Sequence, residues 1–242
     1  MKDQVEICLW AHEHRPELFG PLLEAIGKYT PESFVLSQML EPGNCHENMK
    51  KVVERRQPDT RFLLFMDWDA RPTVSGWLTT MRNYFESEPL LGSLSAWEPN
   101  LAKYGIARPP PGKLFYVRFA ACYMQMYDLS RVPIMPDTSI PGGYAMTDLD
   151  LCCQVWSNGY RVAMQGDCPA YHMEKVDMSR EEAESQGFVQ HLPEEFRAQV
   201  KWFEKKWGIR YADAFEAVGQ NRFLVRMAEL SRSRVPGQAV SR

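Results

Sequence analysis

The sequence predicts an α/β fold with a mostly parallel central sheet flanked by helices. Over about the first seventy residues, short apolar runs typical of buried strands alternate with segments that have helical periodicity. A strand-helix-strand-helix-strand order indicates parallel strands joined by crossover helices. The composition agrees, because 45% of the 242 residues are hydrophobic and can form a sizeable core.

The elements of this first region follow from apolar runs and turn residues. Pro16 is suited to the first turn of a helix, because a backbone N–H at that position would have no partner within the helix and proline lacks this N–H. The turn signal Glu41-Pro42-Gly43-Asn44 closes the second strand. The predicted strands are 5–10, 34–40 and 62–66, and the predicted helices are 16–26 and 48–56.

After this region the pattern is less regular. Prolines and glycines predict irregular loops at 99–114 and 132–144. From Arg180 onward the chain is charged and helical in character, and five arginines lie between residues 221 and 242. The further predicted helices are 76–87 and 148–158, and the further predicted strands are 92–97, 114–127 and 160–164.

Charge and cysteine content narrow the class of protein. With 28 basic and 31 acidic residues, the net charge is −3, which is not the strongly basic balance of a nucleic-acid-binding chain. The six cysteines have no CxxC spacing, so a zinc site and a disulfide framework are not predicted. The apolar runs, such as 62–66, are far below the roughly 20 residues of a membrane span. We expect a soluble, cytoplasmic protein without a signal peptide or transmembrane segment.

Two carboxylates, Asp67 and Asp69, follow the predicted strand 62–66. Ligands of open α/β sheets bind at the carboxyl ends of the strands. Oxygen ligands placed there hold Mg²⁺ or Mn²⁺, and the metal neutralises a diphosphate. The alternative is that the pair only stabilises the turn after the strand. Taken alone, the pair leaves both interpretations open.

Two later segments carry further polar side chains. Asp148 and Asp150 follow a glycine-rich segment at the start of a predicted helix, where aspartate is also an ordinary cap. His172 comes just after the last predicted strand, and a lone histidine is commonly a surface residue. Together with the acidic pair, these segments supply candidate metal ligands and a candidate general base.

With these motifs in this order, the sequence resembles the family 2 glycosyltransferases, which have the GT-A fold. The D-x-D motif of that family matches Asp67-Trp68-Asp69, and its metal-completing histidine matches His172. Its E-D-x-D-L motif matches 147–151, with Thr147 in place of the glutamate, and its G-Y-R-[IV] motif matches 159–162.

The resemblance implies a domain organisation. Residues 1–178 would form the GT-A domain, with a nucleotide-sugar half at about 1–98 and an acceptor half at about 99–178. Residues 179–242 would form a helical C-terminal extension that ends in an arginine-rich tail.

The resemblance also implies an activity and its residues. The enzyme would be an inverting glycosyltransferase that moves a sugar from a nucleotide-diphosphate sugar, with a UDP-sugar as the expected donor, to an acceptor hydroxyl. Asp148 would be the general base. The metal, Mn²⁺ or Mg²⁺, would be held by Asp67, Asp69 and His172. The donor would also contact the ends of the first two strands, where this chain has Ala11, Glu13 and Gln38.

Other functions stay open at this point. The acceptor could be a glycan, a small molecule or a hydroxylated base in modified DNA, to which the arginine-rich tail could dock with strong salt dependence. A nucleotidyltransferase or a non-catalytic binding module could also use this fold.

Overall fold

The computed structural model describes residues 4–10, 16–39, 45–121, 123–142, 146–172, 193–214 and 222–234. The strands are β1 (Gln4–Trp10), β2 (Val35–Met39), β3 (Thr60–Asp67), β4 (Ala70–Pro72), β5 (Leu91–Ala96), β6 (Leu114–Tyr116), β7 (Met124–Asp128), β8 (Arg161–Gln165) and β9 (Ala170–His172). The helices are α1 (Pro16–Tyr29), α2 (Cys45–Arg55), α3 (Trp77–Ser87), α4 (Thr147–Ser157), α5 (Pro193–Trp207) and α6 (Arg222–Arg234). Short 3₁₀ helices lie at Pro99–Tyr104 and Tyr211–Ala214.

The main sheet has seven strands in the order β2-β1-β3-β7-β5-β8-β6. Strands β2, β1, β3, β5 and β8 run in one direction, and β7 and β6 run in the opposite one. The prediction of an α/β fold with a mostly parallel sheet is therefore confirmed. A second sheet consists of the antiparallel pair β4-β9.

Apolar side chains cover both faces of the main sheet. On β3, Phe62, Leu64 and Met66 face the cluster that contains α1 and α3, whereas Leu63 and Phe65 face the cluster that contains α2 and α4. Burial on both faces explains why β3 is an uninterrupted apolar run rather than an alternating one.

The single strand expected at 114–127 is wrong in one respect, because the chain forms two separate strands there. Strand β6 pairs with β8 at an edge of the sheet, and β7 lies between β3 and β5. Phe115 and Tyr116 are exposed on β6, whereas all five residues of β7 are buried. Two strands in such different surroundings share the same β-forming composition, which is why the sequence did not separate them.

The C-terminal helices pack against α4 through a third apolar cluster. Phe203 and Trp207 of α5 and Phe223 of α6 meet Leu149 and Cys153 of α4. The boundary expected at 178–179 lies outside the described residues, as do Ala11 and Glu13. No helix in the described part of the chain has both the length and the apolar character needed to cross a membrane.

Candidate functional site

Three side chains that the sequence singled out meet beyond the carboxyl end of β3. Asp67 is the last residue of β3, Asp69 lies in the turn before β4, and His172 ends β9. The pairing of β4 with β9 sets Ala70 opposite His172 and so brings the imidazole to Asp69. His172 Nε2 lies 3.2 Å from Asp69 Oδ1 and 3.9 Å from Asp67 Oδ2.

This cluster is open on one side. The Asp69 side chain is 9% exposed and the Asp67 side chain 40% exposed, with His172 in between at 25%. The backbone N–H of Asp67 donates to the carbonyl of Tyr123 at 3.0 Å, which fixes the end of β3. A ligand can therefore reach the cluster from the side of Asp67, while Asp69 is held within the protein.

The cluster fits a divalent cation. Potential ligand atoms of Asp67, Asp69 and His172 all lie within 4.8 Å of one another. At metal–ligand distances of about 2.1 Å, adjacent ligands of an octahedral ion lie about 3 Å apart, so small movements suffice. Two carboxylates and one imidazole suit Mn²⁺, because imidazole is a ligand of transition metals and carboxylates bind hard cations.

A fourth residue, Glu98, was missed by the sequence reasoning. It follows β5 and is buried, and its Oε2 lies 2.8 Å from His172 Nδ1. The ring of Tyr123 stacks on the imidazole with centroids 5.1 Å apart. The available signal was the position of Glu98 directly after the predicted strand 92–97, although that strand is less apolar than the run before Asp67.

The carboxylates around His172 favour a positive charge. Burial alone lowers the pKa of His172, but hydrogen bonds to Asp69 and Glu98 and the charges of Asp69 and Asp67 outweigh burial and raise the pKa to about 10. Either a proton on His172 or a bound cation would compensate the negative charge of these carboxylates.

Asp148 lies in the first turn of α4, half-buried. Met146, just before the helix, has a left-handed backbone with φ of 72°, a strained conformation for a residue with a side chain. Burial raises the pKa of the Cys45 thiol, and the charges of Asp148 and Asp67 raise it further. Both carboxylates therefore lie near the start of α2, on the same side of the molecule.

Thr147, which stands where the resemblance expects a glutamate, joins α4 to α2. Its hydroxyl and the Nδ1 of His46 form a buried hydrogen bond. Burial lowers the pKa of His46 to about 4, although the Gly142 backbone and the Asp137 charge oppose this. A neutral imidazole and a hydroxyl therefore occupy this position without adding a charge beside Asp148.

Asp150 is fully buried and belongs to a structural network. Its Oδ1 accepts from Trp207 Nε1 at 2.9 Å and faces Lys206 Nζ at 2.7 Å, and its Oδ2 accepts from Gln154 Nε2 at 2.8 Å. Lys206 also pairs with Asp137 in the 132–142 loop at 2.8 Å. Helix α5 thus holds both the head of α4 and this loop.

Gln38 lies near the carboxyl end of β2, and β1 separates this strand from β3. It borders a polar cavity of about 210 Å³ between β2 and α2, together with Ser37, Lys51 and Arg55. The structure therefore brings Asp67, Asp69 and His172 together and places Asp148 on the same side, and Gln38 lies near the carboxyl end of β2, two strands from β3.

Comparisons with known proteins place the fold. The sequence matches no protein-family model and no curated protein. Among solved structures, GalNAc-T7 with UDP, GalNAc and Mn²⁺ has a TM-score of 0.57 at 8% identity, covering 96% of this chain and 54% of that chain. This chain therefore spans about half the length of GalNAc-T7.

Two further structures agree. The mannosyltransferase PcManGT from Pyrobaculum calidifontis, in complex with GDP-Man and Mn²⁺, has a TM-score of 0.56 at 12% identity, covering 95% of this chain and 74% of that one. S. aureus TarS 1-349 with UDP-GlcNAc has a TM-score of 0.50 at 11% identity, covering 94% and 79%. These likenesses do not separate the family 2 glycosyltransferases from other proteins of this fold. They confirm the expectation from the sequence: the chain has the GT-A fold that these glycosyltransferases share.

Proposed function

We propose that this protein is an inverting, metal-dependent glycosyltransferase that moves a sugar from a nucleotide-diphosphate sugar to an acceptor hydroxyl. The observation that carries the proposal is the meeting of Asp67, Asp69 and His172 beyond the carboxyl end of β3 in a GT-A fold. Ligands of open α/β sheets bind at this edge.

The three cluster residues would hold the cation. Asp69 and His172 would be two of its ligands, and the more exposed Asp67 would be a third ligand or would contact the ribose. Bound there, Mn²⁺ would supply positive charge that stabilises the leaving diphosphate. Support for Mn²⁺ comes from the imidazole ligand and from two structural neighbours that contain it. A UDP-sugar is the first donor to test, because UDP or UDP-GlcNAc is bound in two of the three neighbours.

Asp148 would be the general base. Asp148 lies in the first turn of α4, which holds its carboxylate in place. The charges of Asp148 and Asp67 both raise the pKa of the Cys45 thiol, so both carboxylates lie near the start of α2. A base in this position takes the proton from the acceptor hydroxyl as the sugar is transferred, on the opposite side from the leaving diphosphate. Ala11, Glu13 and Gln38 would contact the donor nucleotide. The acceptor class is left to a screen of glycans, small molecules and hydroxymethylated DNA.

The first experiment tests the metal site. Asp69→Asn should remove Mn²⁺-dependent nucleotide binding and transfer, because a neutral amide is a poorer ligand for a hard cation. His172→Ala should weaken Mn²⁺ binding less, since two carboxylates remain. The exposed Asp59→Asn is the matched control. Full activity in EDTA together with an active Asp69→Asn variant would contradict the metal assignment.

The second experiment separates a transferase from a binding module. Asp148→Asn should leave Mn²⁺ and donor affinity within a few-fold and should lower single-turnover transfer by about 10²–10⁴-fold. Loss of donor binding would instead make Asp148 a donor or metal ligand. A loss of thermal stability alone, of about 1 kcal/mol, would make it a helix cap.

A further inference from the structure

We infer that Glu98 is a positioning residue that makes the Asp67, Asp69 and His172 cluster selective for Mn²⁺ over Mg²⁺. The inference rests on the proposed function in taking this cluster as the metal site. It adds a residue outside the ligand set, together with a property of the site that the ligand set alone does not determine.

The contact between Glu98 and His172 selects one form of the imidazole. Glu98 Oε2 lies 2.8 Å from Nδ1, and an ionised carboxylate can only accept a hydrogen bond. Nδ1 is therefore the donor. In the neutral ring this leaves the lone pair on Nε2, which is the nitrogen that faces Asp69 Oδ1 at 3.2 Å. Glu98 thus directs the ligand atom of His172 toward the two aspartates.

Other contacts prevent the ring from turning. The ring of Tyr123 stacks on the imidazole, 18° from parallel, and its hydroxyl donates to the carbonyl of Ala96. The backbone beside Glu98 is bound to β9, because Ala170 N–H donates to the Trp97 carbonyl at 2.9 Å. Glu98 and His172 are therefore held on neighbouring segments at a constant separation.

The contact with His172 explains the position of the buried Glu98 side chain. Its side chain is 11% exposed, and no lysine or arginine within the described ranges forms an ion pair with it. Burying a carboxylate is costly unless it is paired, so a buried glutamate with an imidazole partner needs a reason. Fixing the metal-binding histidine is the reason that this geometry supports.

The selectivity follows from ligand chemistry. Carboxylates bind Mg²⁺ and Mn²⁺ alike, whereas imidazole favours transition metals. A residue that acts through the imidazole should therefore affect Mn²⁺ more than Mg²⁺. Glu98→Gln can present either an oxygen or an NH₂ group to Nδ1, so Nε2 would no longer be held as the free lone pair.

The test measures metal binding by the full chain without nucleotide. Mn²⁺ affinity is read from the electron paramagnetic resonance of free Mn²⁺, and Mg²⁺ affinity from competition. Glu98→Gln should lower Mn²⁺ affinity by about 10–100-fold, the usual effect of losing such a partner. Mg²⁺ affinity should fall by less than about 3-fold, since imidazole contributes little to its binding. The exposed Glu24→Gln is the matched control and should change neither affinity.

A second variant excludes a merely structural role. Glu98→Asp keeps the charge but shortens the arm, so it should also lose Mn²⁺ affinity. It replaces the glutamine variant if that variant does not unfold cooperatively.

Every outcome of these measurements either supports or overturns the inference. Unchanged Mn²⁺ affinity in Glu98→Gln, or equal losses for Mn²⁺ and Mg²⁺, would overturn the inference, as would full Mn²⁺ affinity in Glu98→Asp. A wild-type chain that binds no Mn²⁺ would overturn the proposed metal-dependent function and this inference with it. The wild-type measurement therefore distinguishes the two failures.

Discussion

Replacing Lys206 by methionine should destabilise the protein strongly, because it leaves the Asp150 carboxylate without its cation inside the core. The Asp150 side chain is fully buried, and Lys206 Nζ lies 2.7 Å from its Oδ1. Methionine keeps much of the apolar stem of lysine but removes the ammonium group, whose Nζ also lies over the rings of Trp202 and Trp207. The substitution therefore removes mainly the charge.

The size of the effect can be worked from these contacts. Removing one partner of a buried ion pair lowers the free energy of unfolding by about 3–5 kcal/mol. Asp150 keeps its hydrogen bonds from Trp207 and Gln154. Burial already raises its pKa against the opposing effect of Lys206, so protonation without Lys206 limits the loss. The lower end of the range, about 3 kcal/mol, is the expected change in unfolding free energy at pH 7.

Urea denaturation of four variants, including the double variant of Lys206 and Asp150, tests this value. Lys206→Met should lose about 3 kcal/mol, or about 6–12 °C in Tm. The exposed neighbour Lys205→Met should stay within about 0.5 kcal/mol of the wild type. In a double-mutant cycle with Asp150→Asn, the coupling energy should reach about 1.5–3 kcal/mol. Equal stability of the two lysine variants, or a coupling near zero, would refute the reasoning.

The remaining predictions concern pH and packing. Burial raises the pKa of Asp137, but hydrogen bonds from Lys206 and Ser139 outweigh it and lower the pKa to about 2. Because the pKa is lowered on folding, this stabilisation is present above about pH 4 and is lost as the pH falls toward 2. Asp137 is partly exposed, so Asp137→Asn should lower the free energy of unfolding by only about 1–2 kcal/mol at pH 7. Near pH 2 the same urea titration should show no difference from the wild type. Gly92→Ala should cost about 1–3 kcal/mol in the same assay, because the new Cβ would lie 2.7 Å from Tyr160 Cβ; an unchanged midpoint would show that the strand can shift. Gly27→Ala, with open space in the interior of α1, should instead gain about 0.5–1 kcal/mol, and a loss would contradict the helix assignment there.

Much of the fold could be predicted because the hydrophobic pattern along the sequence matches the burial of the same residues in the structure. In the first seventy or so residues, each strand is an apolar run and each helix has an apolar face, and the structure has β1, α1, β2, α2 and β3 there. The carboxyl end of β3 was recognisable because an apolar run stops abruptly at Asp67 and Asp69. These features depend on neighbours in sequence, which a single sequence displays.

The remaining parts of the site depend on partners that are distant in sequence. The three-residue strands β4 and β9 are too short to show periodicity, so the contact of His172 with Asp69 could not be read from spacing. Glu98 looked like an ordinary residue before Pro99, and its role depends on the imidazole beside it. Lys206 looked like one charge among several on a helix, and its partner Asp150 resembled a helix cap.

Strand β7 has a consequence for how the chain folds as it is synthesised. It lies between β3 and β5 and runs against both, so it joins the parallel group β2-β1-β3 to the parallel group β5-β8. Residues 124–128 leave the ribosome after β3 and β5 have both emerged. Until then the inner edges of those two strands are unpaired and available for incorrect pairing. Because Asp69 follows β3 and Glu98 follows β5, the two come together only after β7 has joined the groups, and the candidate metal site is among the last parts of the molecule to form.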